Sequence, residues 1–146
     1  MLLVDVNVLV YAHRVDAPRH EEYRAWLEGI LNGDEAYGMS DLVLAGFVRV
    51  VTHPRIFDPP SPREKALEFA DQVRDQPNCV TLAPGARHWD IFRGLCTDAD
   101  ARGSLVADAF HAALAIEHGC EWISTDRDFS RFEGLRWSHP LQPPRS

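Results

Sequence analysis

Three aspartates stand in surroundings that are otherwise almost wholly apolar or small. Asp5 lies within Leu2-Leu3-Val4-Asp5-Val6-Asn7-Val8-Leu9-Val10-Tyr11-Ala12, Asp108 lies within the alanine-rich run Ser104 to Ile116, and Asp126 directly follows Trp122-Ile123-Ser124-Thr125, with Asp128 two residues on. A carboxylate taken out of water is costly unless it is paired, hydrogen-bonded or bound to a cation. Together the three would form an all-oxygen pocket, the ligand type suited to magnesium or manganese, with no histidine or thiol required. An ion so held can activate water, bind a phosphate oxygen and stabilise the leaving oxygen, which is a route to phosphodiester hydrolysis.

Each acid also has a structural reading. Thr125-Asp126-Arg127-Asp128 fits a capping box with aspartate in place of glutamate, and for Asp128 that reading is preferred. Asp108, in the first turn or so after Ser104, could simply complement a helix dipole. Asp41 sits beside a helix cap and reads as structural. His111 is spaced i, i+3 from Asp108, but a lone helical histidine is more often core or surface, so it is left out of the site.

The elements that must position these acids alternate between strand and helix. Leu2 to Asp5 reads as a short buried parallel strand and Asn7 to His13 as a helix leading away from it. His20 to Leu31 carries Tyr23, Trp26, Leu27, Ile30 and Leu31 on one face and stops at Asn32-Gly33. Glu35 to Met39 is a weak strand, Ser40-Asp41 caps a helix to about Thr52, and Ser61-Pro62-Arg63-Glu64 supplies an N-cap serine, proline at N1 and glutamate at N3 for a helix to about Gln76. A strand from Cys79 to Leu82, a helix around Trp89 to Cys96, a helix from Ser104 to His118 closed by Gly119, a strand from Glu121 to Ser124 and a short helix from Asp126 complete the series. This predicts one domain over residues 1–146, a three-layer α/β/α fold with a central, largely parallel sheet, and a proline-rich tail from Pro140 that frays. Ligands bind such sheets beyond the carboxyl ends of the strands, where Asp5 and Asp126 both fall.

Composition agrees with a single soluble domain: 146 residues, 45% hydrophobic and 25% charged, with no apolar run near the roughly 18 residues of a membrane span. No basic segment precedes the first apolar stretch, so a cytoplasmic location is expected. Cys79, Cys96 and Cys120 are too scattered for a disulfide framework or zinc knuckle and read as small buried hydrophobes. A net charge of −7 argues against broad electrostatic binding to nucleic acid but not against a nuclease with an acidic, metal-loaded centre. Every basic residue but Lys65 is arginine, the side chain that contacts phosphate bidentately.

The segments Leu3 to Ala12, Phe47-Val48-Arg49-Val50-Val51-Thr52-His53-Pro54-Arg55, Asp108 to Ala115 and Ser124 to Phe129 together resemble PIN-domain ribonucleases, and among them the VapC toxins of type II toxin–antitoxin pairs. The resemblance covers essentially the whole chain. It implies a Mg2+-dependent (or Mn2+-dependent) endoribonuclease in which Asp5, Asp108 and Asp126 are the catalytic, metal-binding acids. Asn7 would orient Asp5 or a bound water, and Thr125 and Asp128 would support the site. It also implies structured RNA (tRNA or rRNA) as substrate, a homodimer, and a VapB-type antitoxin lying over the cleft. Many relatives carry a glutamate immediately before the Phe-x-Arg segment, where this chain has Gly46. The ion would then be held by the remaining acids, with water in the vacancy or help from Asp41 or Asp128. Arg49, His53 and Arg55 follow that position and are candidates for contacting RNA phosphates, or equally a solvated helix end.

Two other readings compete with the toxin endoribonuclease. The glycine at position 46 motivates an inert module that binds RNA or antitoxin without turnover. A phosphatase with a nucleophilic aspartate is disfavoured because Asp5-Val6-Asn7 lacks the second acid that would protonate the leaving group.

Overall fold

The computed structural model describes residues 1–142, within which five short strands form one parallel sheet. They are β1 (Leu2–Val4), β2 (Tyr37–Met39), β3 (Cys79–Thr81), β4 (Glu121–Ile123) and β5 (Trp137–Ser138), in the spatial order β3-β2-β1-β4-β5. The helices are α1 (Val6–His13), α2 (His20–Leu31), α3 (Asp41–Val51), α4 (Arg63–Arg74), α5 (His88–Asp98) and α6 (Ser104–Glu117). A short 3-10 helix covers Arg127–Arg131.

Strand order and handedness place the helices. From β1 the chain steps outward to β2 and β3, and then returns across the sheet to β4 and β5. Right-handed crossovers put α1 to α4 on one face and α5, α6 and the 3-10 helix on the other. The packing agrees, since α1 touches α2 and α3, α3 touches α4, and α5 packs on α6. The reversal falls between β1 and β4, which opens a crevice at their carboxyl ends. Asp5 and Asp126 stand at that crevice.

The core follows from the sequence pattern. Leu3 and Val4 are fully buried at the sheet centre, paired in register with Trp122 and Ile123. Phe47, Val8, Leu9 and Val51 fill one side, and Ala109, Ala112, Ala113 and Ala115 let α6 lie close on the other. Gly119, at φ +66°, ends α6 in a backbone conformation that glycine adopts without strain.

Several expectations need correction. The helix of Ser61-Pro62 is capped at Pro62 without a side-chain bond, because the Ser61 hydroxyl accepts from Arg14 Nη1 at 3.2 Å and lies 3.2 Å from His13 Nε2. The strand β5 was not expected: two residues are too few to show alternation. Leu141 packs against the core and its N–H reaches His139 Nδ1 at 3.1 Å, so the tail is not frayed at its start. The rest of that expectation, residues 143–146, lies outside the described residues. Cys120 is buried as anticipated, whereas Cys79 and Cys96 are only half-buried.

Candidate active site

Asp5 ends β1 and starts α1. Its N–H donates to the Ile123 carbonyl at 2.9 Å, one step beyond the strand pairing, and its extended backbone makes it the N-cap of α1. The Oδ1 atom accepts the Val6 N–H at 2.6 Å. The Oδ2 atom accepts the Ser124 hydroxyl at 2.6 Å and the Asn7 amide at 3.3 Å. Ser124 in turn accepts from Asn7 Nδ2 and from the Asp126 N–H, each at 3.1 Å, while the Thr125 N–H donates to Asn7 Oδ1 at 3.2 Å. A compact net thus ties the end of β1 to the end of β4. Asn7 orients Asp5 directly. Thr125 supports the site through its backbone rather than its hydroxyl, and the side-chain contact belongs to Ser124, which the motif Ser-Thr-Asp concealed behind its more familiar neighbour.

Burial dominates the electrostatics. Asp5 is only 6% exposed, and its pKa is pushed up to about 6 by desolvation, against the opposing hydrogen bonds of Ser124, Val6 and Asn7 and with a further rise from Asp126. Asp108 is also raised to about 6, first by burial and then by the negative charges of Asp126, Asp5 and Asp128. No hydrogen bond among the described residues offsets that rise. The helix dipole does not help it either. The N-cap of α6 is Gly103 and the first turn carries no acid, so Asp108 lies in the second turn, beyond the dipole's short reach.

Asp126 caps the 3-10 helix, its Oδ1 accepting the Asp128 N–H at 2.9 Å. The cap is therefore Asp126 and not Thr125, as the capping-box reading had it. Asp128 is exposed and lies 3.9 Å from Arg131.

Asp5, Asp108, Asp126 and Asn7 line one cavity of about 1010 Å³. Its other walls are largely apolar, with Tyr11 from α1, Gly46 and Arg49 from α3, and Ile56 and Phe57 from the loop after α3. Arg14, 4.3 Å above the Phe57 ring, holds that loop against the domain. His53 and Arg55 do not line the cavity. They form a local turn in which the Arg55 N–H donates to His53 Nδ1 at 3.1 Å. Asp41 is likewise outside, gripped by Arg74 at 2.8 and 3.4 Å, and does not replace the acid absent at Gly46.

The acids lining the cavity, Asp5, Asp108 and Asp126, offer carboxylate oxygens, a set that fits a hard divalent cation. Among the described residues no three His, Cys, Asp or Glu side chains close into a ready-made cage. A magnesium ion that takes one or two carboxylates and keeps several waters needs none.

A parallel sheet with carboxylates gathered over its central reversal defines a class, and the chain belongs to the PIN domain family, which matches residues 2–135. Within it, the similar proteins are VapC ribonucleases. Ribonuclease VapC43 of Mycobacterium tuberculosis is 51% identical over 97% of this chain and 96% of its own length, and Ribonuclease VapC25 of the same organism is 45% identical over 96% and 99%. Among solved structures, VapBC-1 from nontypeable Haemophilus influenzae superposes with a TM-score of 0.69 at 14% identity, covering 97% of this chain and 98% of that one. Mycobacterium tuberculosis VapC20, described as a sarcin–ricin loop cleaving toxin, gives 0.67 at 17% identity, covering 93% and 99%. At those identities the superpositions show the fold. Among the described residues no helix is long and apolar enough to cross a membrane.

Proposed function

We propose that the chain is a toxin endoribonuclease that uses Mg2+ or Mn2+ to hydrolyse phosphodiester bonds in structured RNA. The observation that carries this reading is the gathering of Asp5, Asp108 and Asp126 from three separate elements onto one cavity, where burial and mutual repulsion hold two of them near pKa 6. The family adds the chemistry, since the relatives at 51% and 45% identity are ribonucleases.

A divalent cation bound here would supply an activated water and neutralise charge on the phosphate. Asp108, which has no hydrogen bond among the described residues, and Asp126, through the oxygen that the Asp128 N–H does not occupy, are the groups that would hold it. Asp5 completes the negative field while Ser124 and Asn7 fix its carboxylate plane. Arg49, exposed on the α3 wall, would meet a phosphate of an RNA strand entering the cavity. His53 and Arg55, outside the cavity, would touch RNA only farther along.

The partner in this reading is an antitoxin of the VapB type, since the solved structures that share this fold include VapBC and FitAB assemblies. A homodimer is the expected assembly of the chain itself.

Cleavage mapping on total RNA tests the proposal. Wild type with magnesium or manganese should cut at discrete sites, and both EDTA and Asp108→Ala should abolish the cuts. Undiminished cleavage by Asp108→Ala would overturn it. The inert-module reading is favoured by one observation, the absence of an acid on the α3 wall at Gly46. It predicts RNA or antitoxin binding that survives Asp108→Ala and no turnover with either metal.

A further inference from the structure

His111 has no task in the chemistry above, yet it occupies an uncomfortable position. It lies one helical turn beyond Asp108 on α6 and lines the same cavity. Its ring stacks on Trp122 with centroids 5.4 Å apart and planes inclined at 16°. The Nδ1 atom is sealed from solvent and has no hydrogen-bond partner among the described residues. A phenylalanine or leucine would fill this space without stranding a polar atom, so packing alone does not account for an imidazole.

The two ring nitrogens are not equivalent. Nδ1 is stranded beside Trp122, whose own Nε1 is likewise sealed without a partner among the described residues, whereas Nε2 is not among the sealed, unpartnered atoms and its ring borders the cavity. In the backbone a buried N–H without a partner is rarer than an under-satisfied carbonyl, and a ring nitrogen obeys the same desolvation logic. The favoured tautomer therefore leaves the stranded Nδ1 bare and carries the proton on Nε2, at the cavity.

Resting on the endoribonuclease reading, the geometry points to His111 as a substrate-positioning residue, a donor whose Nε2–H meets an acceptor oxygen of the bound nucleotide. The groups around it favour the neutral ring. Burial, with a smaller contribution from His88, lowers its pKa to about 4. His88 of α5 is engaged elsewhere, its Nε2 lying 2.9 Å from the Phe110 carbonyl. Asp108, one turn away, and Glu117, at the far end, are the two acids on the same helix, and Trp122 of β4 brings no charge. A neutral donor beside carboxylates brings no positive charge to compete with a cation for them, as an arginine or lysine would. The acceptor is a base carbonyl or a phosphate oxygen, and the two sources differ in how they weight RNA sequence.

The test uses a pool of short RNA hairpins with randomised loops, wild type, His111→Phe and His111→Gln. Phenylalanine keeps the stack on Trp122 and removes the donor, and glutamine returns an N–H near the Nε2 position. His111→Phe should lower kcat/KM by tenfold or more with Tm unchanged or raised, since a stranded polar atom is removed, and His111→Gln should recover most of the loss. A contact to a base alters the loop-sequence preference; a contact to phosphate lowers cleavage of all loops uniformly. Either pattern supports the assignment. Full activity in His111→Phe, or failure of glutamine to rescue, overturns it. Imidazole nitrogen NMR on the protein without RNA is an independent arm, expected to show the Nε2–H tautomer at pH 7. An Nδ1–H tautomer or a charged ring there overturns the proposal. If wild type cleaves neither the pool nor total RNA, the endoribonuclease reading fails, and hairpin binding by wild type and His111→Phe still decides the role of His111: equal binding overturns it, weaker binding in the variant supports it.

Discussion

The Ser124 hydroxyl lies 2.6 Å from Asp5 Oδ2, across 119 residues of chain, and also receives the Asn7 amide and the Asp126 N–H. One fully buried oxygen thereby joins the ends of the two central strands. Replacing it should disturb both folding and chemistry. Ser124→Ala is expected to lose about 1–3 kcal/mol of stability, because its partners are left buried and unmatched. Cleavage should fall about 10- to 100-fold, the usual consequence of losing a group that orients a metal-site ligand. Chemical denaturation and single-turnover cleavage measure the two effects, and a wild-type rate would show that Ser124 does not position Asp5 for chemistry.

Asp5 should reveal itself through pH. Its folded pKa of about 6 lies above the ordinary 3.8, so the folded protein holds the proton more tightly than the unfolded chain does. Without metal, its charge therefore costs stability, by an amount that is nil below about pH 4 and complete above about pH 6. The full cost is of the order of 3 kcal/mol, two pKa units. Relative to wild type, Asp5→Asn should become more stable as pH rises from 4 to 7, and magnesium should shrink that gain by stabilising the charged wild type. A difference in Tm that stays flat across this range would contradict the assignment.

Gly46 can be tested by filling it. A Cβ there would come 3.0 Å from Val6 Cγ2, a methyl that must give by a few tenths of an ångström. The helix gains up to about 1 kcal/mol on losing a glycine, which offsets the crowding. Gly46→Ala should thus change stability by less than about 1 kcal/mol, whereas Gly46→Glu should bind magnesium more tightly by calorimetric titration. Equal metal affinity in the two variants would mean that the α3 wall does not face the ion.

Asp41 provides the contrasting case. Its carboxylate is exposed and paired with Arg74, a contact of little consequence in water. Asp41→Ala should leave metal affinity and cleavage within twofold of wild type, and a larger loss of metal binding would restore it to the site.

Much of this arrangement was legible in residue order, for identifiable reasons. The helix predicted over His20 to Leu31 is found with those ends, because its apolar residues recur at helical spacing and Asn32-Gly33 stops it. The placement of Asp5 and Asp126 just beyond strand ends followed from the short apolar stretch ahead of each, Leu2 to Val4 and Trp122-Ile123. Local pattern failed where a side chain has a distant partner. Ser61 looks like a cap, yet His13 and Arg14, nearly fifty residues earlier, engage its hydroxyl. Ser124 looks like the last residue of a strand, and its partner Asp5 lies at the other end of the chain. Arg49, His53 and Arg55 read as one basic cluster, but the helix ends at Val51 and only Arg49 keeps the cavity-facing direction.

Asp5 Oδ1 takes the first N–H of α1, and Asp126 Oδ1 takes an N–H of the 3-10 helix. Two of the three acids are thus fastenings of the backbone, and Asp108 is not. The distinction bears on how a harmless version of the protein is made for structural work or immunisation. Removing Asp5 or Asp126 loosens the joint between the central strands along with the chemistry. Asp108→Asn relieves a repulsion that no hydrogen bond among the described residues offsets, and should yield a silent protein whose surface still presents the native shape.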